Sequence, residues 1–274
     1  MSTSGVSAPP SSFSPSLAAR LRLLGLLAWR DITSRYRGSM MGLVWSFVTP
    51  VLLLGVYTVV FSGIFRARVS AGSGSAADFA LQLFAGLIVH GLAAEVLSRA
   101  PGLIAGNTGY VKKVMFPLEI LPLVLILSAV FHGIISVVIL MIFQLFVHQH
   151  IAPTIIFVPL VLLPYMIFLA GISWLVSAAG VFIRDISQIT GFVITLLLFL
   201  SPVFYPASTL PEQWQFVLIL NPLTIVIEQM RAVVLYGELP HFLALFVFTL
   251  ISLLVFWAGL FSFSKLKREF ADVL

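Results

Sequence analysis

Charged side chains in this chain fall between long stretches that carry none. The first such stretch, Gly38 to Phe65, has no Lys, Arg, Asp or Glu. About 28 helical residues at ~1.5 Å each exceed the ~30 Å of bilayer hydrocarbon, so it can span with some tilt. Phe79 to Leu97 predicts a second span, holding Gln82, His90 and Glu95, with Arg99 closing its far end. A third opens at Phe116-Pro117-Leu118-Glu119, where a proline near the first turn and a carboxylate suit a helix N-terminus, and runs to about Val147. A fourth, within Ile151 to Ile183, is kinked or offset by Pro153, Pro159 and Pro164. Arg184-Asp185 then returns the chain tightly into a fifth, Ile186 to Phe199, and Phe242 to Phe263 is the sixth. Between the last two, Pro202, Pro206, Pro211 and Pro222 punctuate apolar pieces, Gln213 to Leu220 and Leu223 to Leu235, that are too short to cross a bilayer. They read as re-entrant or interfacial helices, the second started by Asn221-Pro222 and ended by Gly237 and Pro240.

Ahead of the spans, Met1 to Ser16 is rich in Ser, Pro and Gly, with neither basic residues nor an apolar h-region, and reads as a disordered tail rather than a signal peptide. Leu17, Leu21, Leu24, Ala28 and Ile32 then recur at helical spacing beside Arg20, Arg22, Arg30 and Arg35, the pattern of an amphipathic helix lying at the headgroup boundary. The expected fold class is therefore an all-α integral membrane protein. Its parts are a tail (1–16), an amphipathic interface helix (17–37), a six-helix membrane domain with two short re-entrant helices before the last span (38–264), and a second tail (265–274).

Composition agrees: 60% of the 274 residues are hydrophobic and 9% charged. No soluble core could hide that many apolar side chains. The net charge of +5 does not point to nucleic acid, because the basic residues are few and sit at the ends of apolar runs. Arg20, Arg22, Arg30, Arg35, Arg37, Arg99, Lys112, Lys113, Arg184, Lys265, Lys267 and Arg268 all fall on one side of a six-span topology, leaving Arg66, Arg68 and Arg231. By the positive-inside rule that side is the cytoplasm, with both termini there. The absence of cysteine excludes disulfides, thiol nucleophiles and thiolate metal sites.

Taken singly, the polar residues inside the spans have local explanations. Glu95 and Arg99 are four apart, the spacing of a helical ion pair, and Glu228 and Arg231 are three apart. His90 reads as a hydrogen-bonded interior histidine. His148 and His150 flank an outward turn with no third metal ligand nearby. The chain has no G-x-x-x-x-G-K-[ST], H-E-x-x-H or G-x-S-x-G, and Glu95 is the one acid well inside a span, too few for an ion-coupled carrier of the usual kind. What these residues support is a membrane conduit driven by another chain, with no catalytic, cofactor or metal site of its own.

Several strings resemble one family. Trp29-Arg30-Asp31-Ile32, Arg35-Tyr36-Arg37-Gly38-Ser39, Gly42, Trp45 and Pro50 are similar to the start of the first span in permeases of ATP-binding-cassette exporters for capsule, O-antigen and teichoic-acid polysaccharides. Lys112-Lys113-Val114-Met115-Phe116-Pro117-Leu118-Glu119-Ile120-Leu121-Pro122 is similar to that family's loop after span two, and Phe182 to Ile186 to its cytoplasmic turn. Ser201-Pro202-Val203-Phe204-Tyr205-Pro206 and Asn221-Pro222-Leu223-Thr224 are similar to its outer segment, with Glu228 and Arg231 at its acid and arginine.

The resemblance implies a homodimer in a bacterial inner membrane, joined by two copies of a separate ATPase that holds ATP and Mg, and exporting lipid-linked polysaccharide. It places the ATPase contact at the interface helix and the loop after span two, hence at Arg30, Arg35, Arg37, Lys112 and Lys113, with Arg184 and Asp185 on the adjacent turn. An outer gate would involve Phe204, Tyr205, Trp214, Asn221, Glu228 and Arg231. Aromatic faces suit sugar C–H surfaces, which makes Phe61, Phe65 and Phe199 candidates for the glycan path, against an interfacial aromatic belt as the competing account. An exporter of a small amphiphile or drug, or an ion-coupled carrier, is the alternative function.

Overall fold

The computed structural model describes residues 17–63, 75–112, 116–207 and 211–274. The described residues form helices and no strand: α1 (Leu17–Arg35), α2 (Trp45–Gly63), α3 (Ala76–Arg99), α4 (Thr108–Val111), α5 (Ile120–His148), α6 (Val158–Phe182), α7 (Ile186–Leu200), α8 (Glu212–Leu220), α9 (Pro222–Arg231), α10 (Phe242–Leu266) and α11 (Phe270–Val273). Five stretches are long and apolar enough to cross a membrane: Gly42–Val60, Ala77–Arg99, Ile120–His148, Pro153–Phe182 and Phe242–Leu266. These bear out five of the expected spans. The remaining one, the fifth expected span, is α7, whose 15 residues at ~1.5 Å each reach ~22 Å, less than a full hydrocarbon thickness. The expected 1–16 tail lies outside the described residues.

The second span begins three residues earlier than its apolar pattern predicts. Ser75 caps it: the Ser75 hydroxyl accepts from the Asp78 amide at 3.2 Å while the Ser75 amide donates to the Asp78 carboxylate at 2.7 Å. That reciprocal box satisfies two amides that would otherwise enter the membrane unpaired. Pro50 and Pro164 are carried inside α2 and α6, and Pro153 opens the short 3-10 turn that leads into α6. Between α1 and α2 the chain turns at Gly38 and Gly42, both at positive φ (86° and 52°), where a side chain would be strained.

Helix α3 is the axis. Across its span 72% of residues are buried, against 11% for α2 and 22% for α10, and it packs against α2, α5, α6, α7 and α9. Ala80, Ala85, Val89, Ala93 and Val96, all 1% exposed or less, form its most enclosed stripe. On one side, α6 and α10 run parallel, as the ring pairs Phe157–Phe242, Phe168–Phe248 and Trp174–Phe256 show. Gly171 and Gly259 let the two backbones touch: a Cβ on Gly171 would meet the Val255 carbonyl, and one on Gly259 the Gly171 carbonyl. Close approach through small residues is how helices gain contact in lipid, where apolar burial supplies no drive. The helices alternate in direction so that Arg30, Arg99, Glu119, Arg184 and Lys267 gather at one end, called here the basic end. Asp78, His148, Arg231 and His241 mark the opposite end.

Candidate functional site

Two polar clusters stand at the two ends of α3. At the basic end, the last turns of α1 present Arg30, Asp31, Arg35 and, just beyond, Tyr36. Helical spacing puts Asp31 and Arg35 on one face. Asp31 receives Arg99 Nη2 on both carboxylate oxygens, at 2.6 and 2.8 Å. Arg35 Nη2 donates to Glu95 Oε1 at 2.5 Å. His132 of α5 sets its Nδ1 3.1 Å from Glu95 Oε2, and its Nε2 3.0 Å from the Tyr36 hydroxyl. A His132 tautomer with Nδ1–H donating to the carboxylate and Nε2 accepting from the phenol satisfies all three groups. Burial pushes the Tyr36 pKa up, with Arg35 opposing and Glu95 adding to the rise, so the phenol keeps the proton it donates.

The i,i+4 contact between Arg99 and Glu95 that the spacing predicts is present at 3.5 Å, and it is the longest ion pair in the cluster. His132 was not singled out by the sequence, and the signal that could have found it is an ionisable side chain inside an apolar span.

This cluster floors a groove of about 400 Å³ between α2, α3 and α5, walled by Trp45, Thr49, Phe84 and Leu87. Nearby, Arg30 donates to the Tyr110 hydroxyl at 2.7 Å and lies over its ring, 5.8 Å from the centroid, and Tyr110 stacks on Phe116. That contact ties the interface helix to the connection after the second span. Arg37, Lys112, Arg184 and Asp185 are exposed at the same end, while Lys113 lies outside the described residues. Glu119, expected as a helix-start carboxylate, also pairs with Lys267 at the end of α10.

At the opposite end, Arg231 is 3% exposed. Its guanidinium donates to the carbonyls of Val203 (2.8 Å), Gln82 (3.1 Å) and Tyr205 (3.4 Å), and to Glu228 at 3.4 Å. The expected local pair with Glu228 therefore exists, but the closest partners are backbone oxygens of the 201–206 segment and of α3. Asn221 caps α9 by accepting from the Leu223 amide at 3.0 Å and also donates to Ser201 Oγ at 2.8 Å, fastening the same segment. Phe204 stacks on Phe199 with centroids 6.0 Å apart, and the Tyr205 hydroxyl donates to the Phe199 carbonyl. Five of the six residues assigned to an outer gate thus lie on this segment, on α9 or at its cap. Trp214 is on α8, but its side chain is outside what is described, as are the side chain of Phe61 and the whole of Phe65. His90 is an interior histidine as expected, donating to the Ile194 carbonyl at 3.0 Å. His148 pairs with Asp78 across the ends of α5 and α3.

Residues 22–235 match the family described as ABC-2 type transporter. The chain is similar to an O-antigen export system permease protein RfbA of Klebsiella pneumoniae, 27% identical over 256 residues that cover 92% of this chain and 95% of the relative. It is also similar to a protein of the same name from Myxococcus xanthus, 25% identical over 252 residues, covering 91% and 94%.

Proposed function

The chain belongs to the ABC-2 type transporter family, and from that premise we propose that it is the membrane permease of an exporter carrying lipid-linked polysaccharide of the O-antigen kind out across the bacterial cytoplasmic membrane. The observation that carries this reading is the similarity to O-antigen export permeases along more than nine tenths of both chains. Two permease copies and two copies of a separate ATPase form the working assembly. ATP and Mg are held by the ATPase; this chain binds no cofactor. The basic end faces the cytoplasm, supported by the distribution of Lys and Arg, and the exposed Arg37, Lys112, Arg184 and Asp185 form the partner's landing surface. The Arg231 end faces outward as the gate. Phe199 is the described candidate for the glycan path.

The test is deletion of the chain in its native host. Loss of surface polysaccharide, with lipid-linked glycan accumulating on the inner leaflet and export restored only when this chain and an ATPase are both supplied, is the expected result. Normal surface glycan with altered efflux of a small amphiphile would replace this reading by the alternative one. The purified chain alone should hydrolyse no ATP above background.

A further inference from the structure

The apolar attachment of α1 to the bundle is one-sided. Leu27 and Ala28, with Leu23 and Leu24 beside them, pack on Ile120, Val124 and Phe116, and Ile32 is buried, whereas Leu17, Leu21, Leu26 and Trp29 are all more than half exposed. With that patch confined to one side and the N-terminal turns bare, apolar contact alone would let the helix slide when pushed from the cytoplasm. Polar contacts at its C-terminal turns are what fix it, and they converge on one carboxylate. Glu95 accepts from Arg35 at the end of α1, takes His132 of α5 on both oxygens, and reaches Arg99 of its own helix, which in turn holds Asp31 of α1.

The Glu95 side chain is 15% exposed. A carboxylate at that depth is tolerable only while paired, so the contact favours two states, closed or broken, over gradual loosening. Both of its oxygens are committed to protein donors, which leaves it unsuited to loading and releasing a coupling ion.

We propose that Glu95 is a positioning residue for transport: it locks the interface helix to α3 and α5, so that displacement of α1 by a bound ATPase moves the membrane spans instead of dissipating in lipid. The proposal rests on the permease reading above, but its structural half does not need that reading.

The chain has no cysteine, so Ala28→Cys with Val124→Cys gives a clean reporter of α1 against α5. In the full-length chain, thiol cross-linking should be rapid. Glu95→Gln should slow it at least fivefold, and Arg35→Met with Glu95→Gln together should be no slower than Glu95→Gln alone, since both act through one contact. In membranes containing the partner, Glu95→Gln should retain the bound ATPase and its turnover to within twofold, while glycan exported per ATP falls about tenfold. Unchanged cross-linking, or an unchanged export ratio, overturns the proposal. If wild type itself exports no glycan, the permease reading fails and the cross-linking result still decides the lock. Should Glu95→Gln not reach the membrane, Asp31→Asn opens the second pair of the same joint: slower cross-linking there supports the lock, and wild-type cross-linking overturns it.

Discussion

Replacing Arg231 by Met keeps most of the length of the stem and removes the charged fork. The carbonyls of Val203 and Gln82, held at 2.8 and 3.1 Å, lose their donors in a place water does not reach. Each charge-assisted bond contributes ~1.5–3 kcal/mol, so the gross loss is ~3–6 kcal/mol. Removing a buried cation returns part of that, leaving a net destabilisation of ~2–4 kcal/mol. Glu228 adds little to the sum: its side chain is 39% exposed and its contact is 3.4 Å, and an exposed pair of that kind is worth about 1 kcal/mol or less. At ~2–4 °C per kcal/mol, Arg231→Met should melt on the order of 4–16 °C below wild type. Arg231→Lys, which keeps the charge but cannot reach three carbonyls at once, should lose roughly half as much, and Glu228→Gln should shift by no more than ~2–4 °C. The assay is thermal unfolding of the detergent-solubilised chain followed by fluorescence-detected gel filtration. Arg231→Met melting within 2 °C of wild type, or Glu228→Gln costing as much as Arg231→Met, would refute the view that the guanidinium works chiefly as a clasp on backbone oxygens.

Gly171→Val places a branched side chain against the Val255 carbonyl and should force α6 and α10 apart, lowering the recovery of monodisperse protein severalfold; recovery equal to wild type would mean the helices can part at no cost. Charge reversal at Arg37 together with Lys112, both exposed, should weaken co-purification of the ATPase while membrane insertion persists, because the other basic residues still set orientation; undiminished recovery would reduce the pair to orientation signals. Single cysteines placed from Gln213 to Leu220 should react with an impermeant thiol reagent added from outside, with reactivity that changes when the ATPase is trapped with nucleotide. Uniform protection, with Tyr236 to His241 labelled only from the cytoplasm, would mean this stretch crosses the membrane.

How far the sequence could be read depended on whether a contact is local. Spans follow from runs of apolar residues, and α1, α9 and the Asn221 cap follow from spacing and cap chemistry, so these are where they were expected. The partners of Arg231 are not legible in the same way. Backbone carbonyls carry no side-chain identity, and those of Val203 and Gln82 stand 28 and 149 residues away. The Arg35–Glu95 pair fails for a related reason: each residue has a nearer explanation, Arg35 as an orientation signal and Glu95 as the i,i+4 partner of Arg99. The closer contact spans 60 residues and depends on how α1 folds back under α3.

Helices α2 and α7 are the least covered elements around α3. Both flank α3, and both leave most of their outward face uncovered. Bare apolar surface is no penalty in lipid, so the exposure of Val51, Leu52 and Val56 on α2 would by itself need no partner. Helix α7 is different. At ~22 Å it is shorter than the hydrocarbon layer, and its exposed positions include Ser187, Gln188 and Thr195 beside Phe192 and Phe199. An end that stops short of the interface leaves terminal backbone groups at a depth where lipid cannot satisfy them, which is tolerated only against protein or a wet cavity; the Phe199 carbonyl there takes the Tyr205 hydroxyl. In the two-copy permease proposed above, we assign the α7 face to the second copy or to the conduit between the copies, and the stacked Phe199 and Phe204 stand where that face meets the Arg231 clasp.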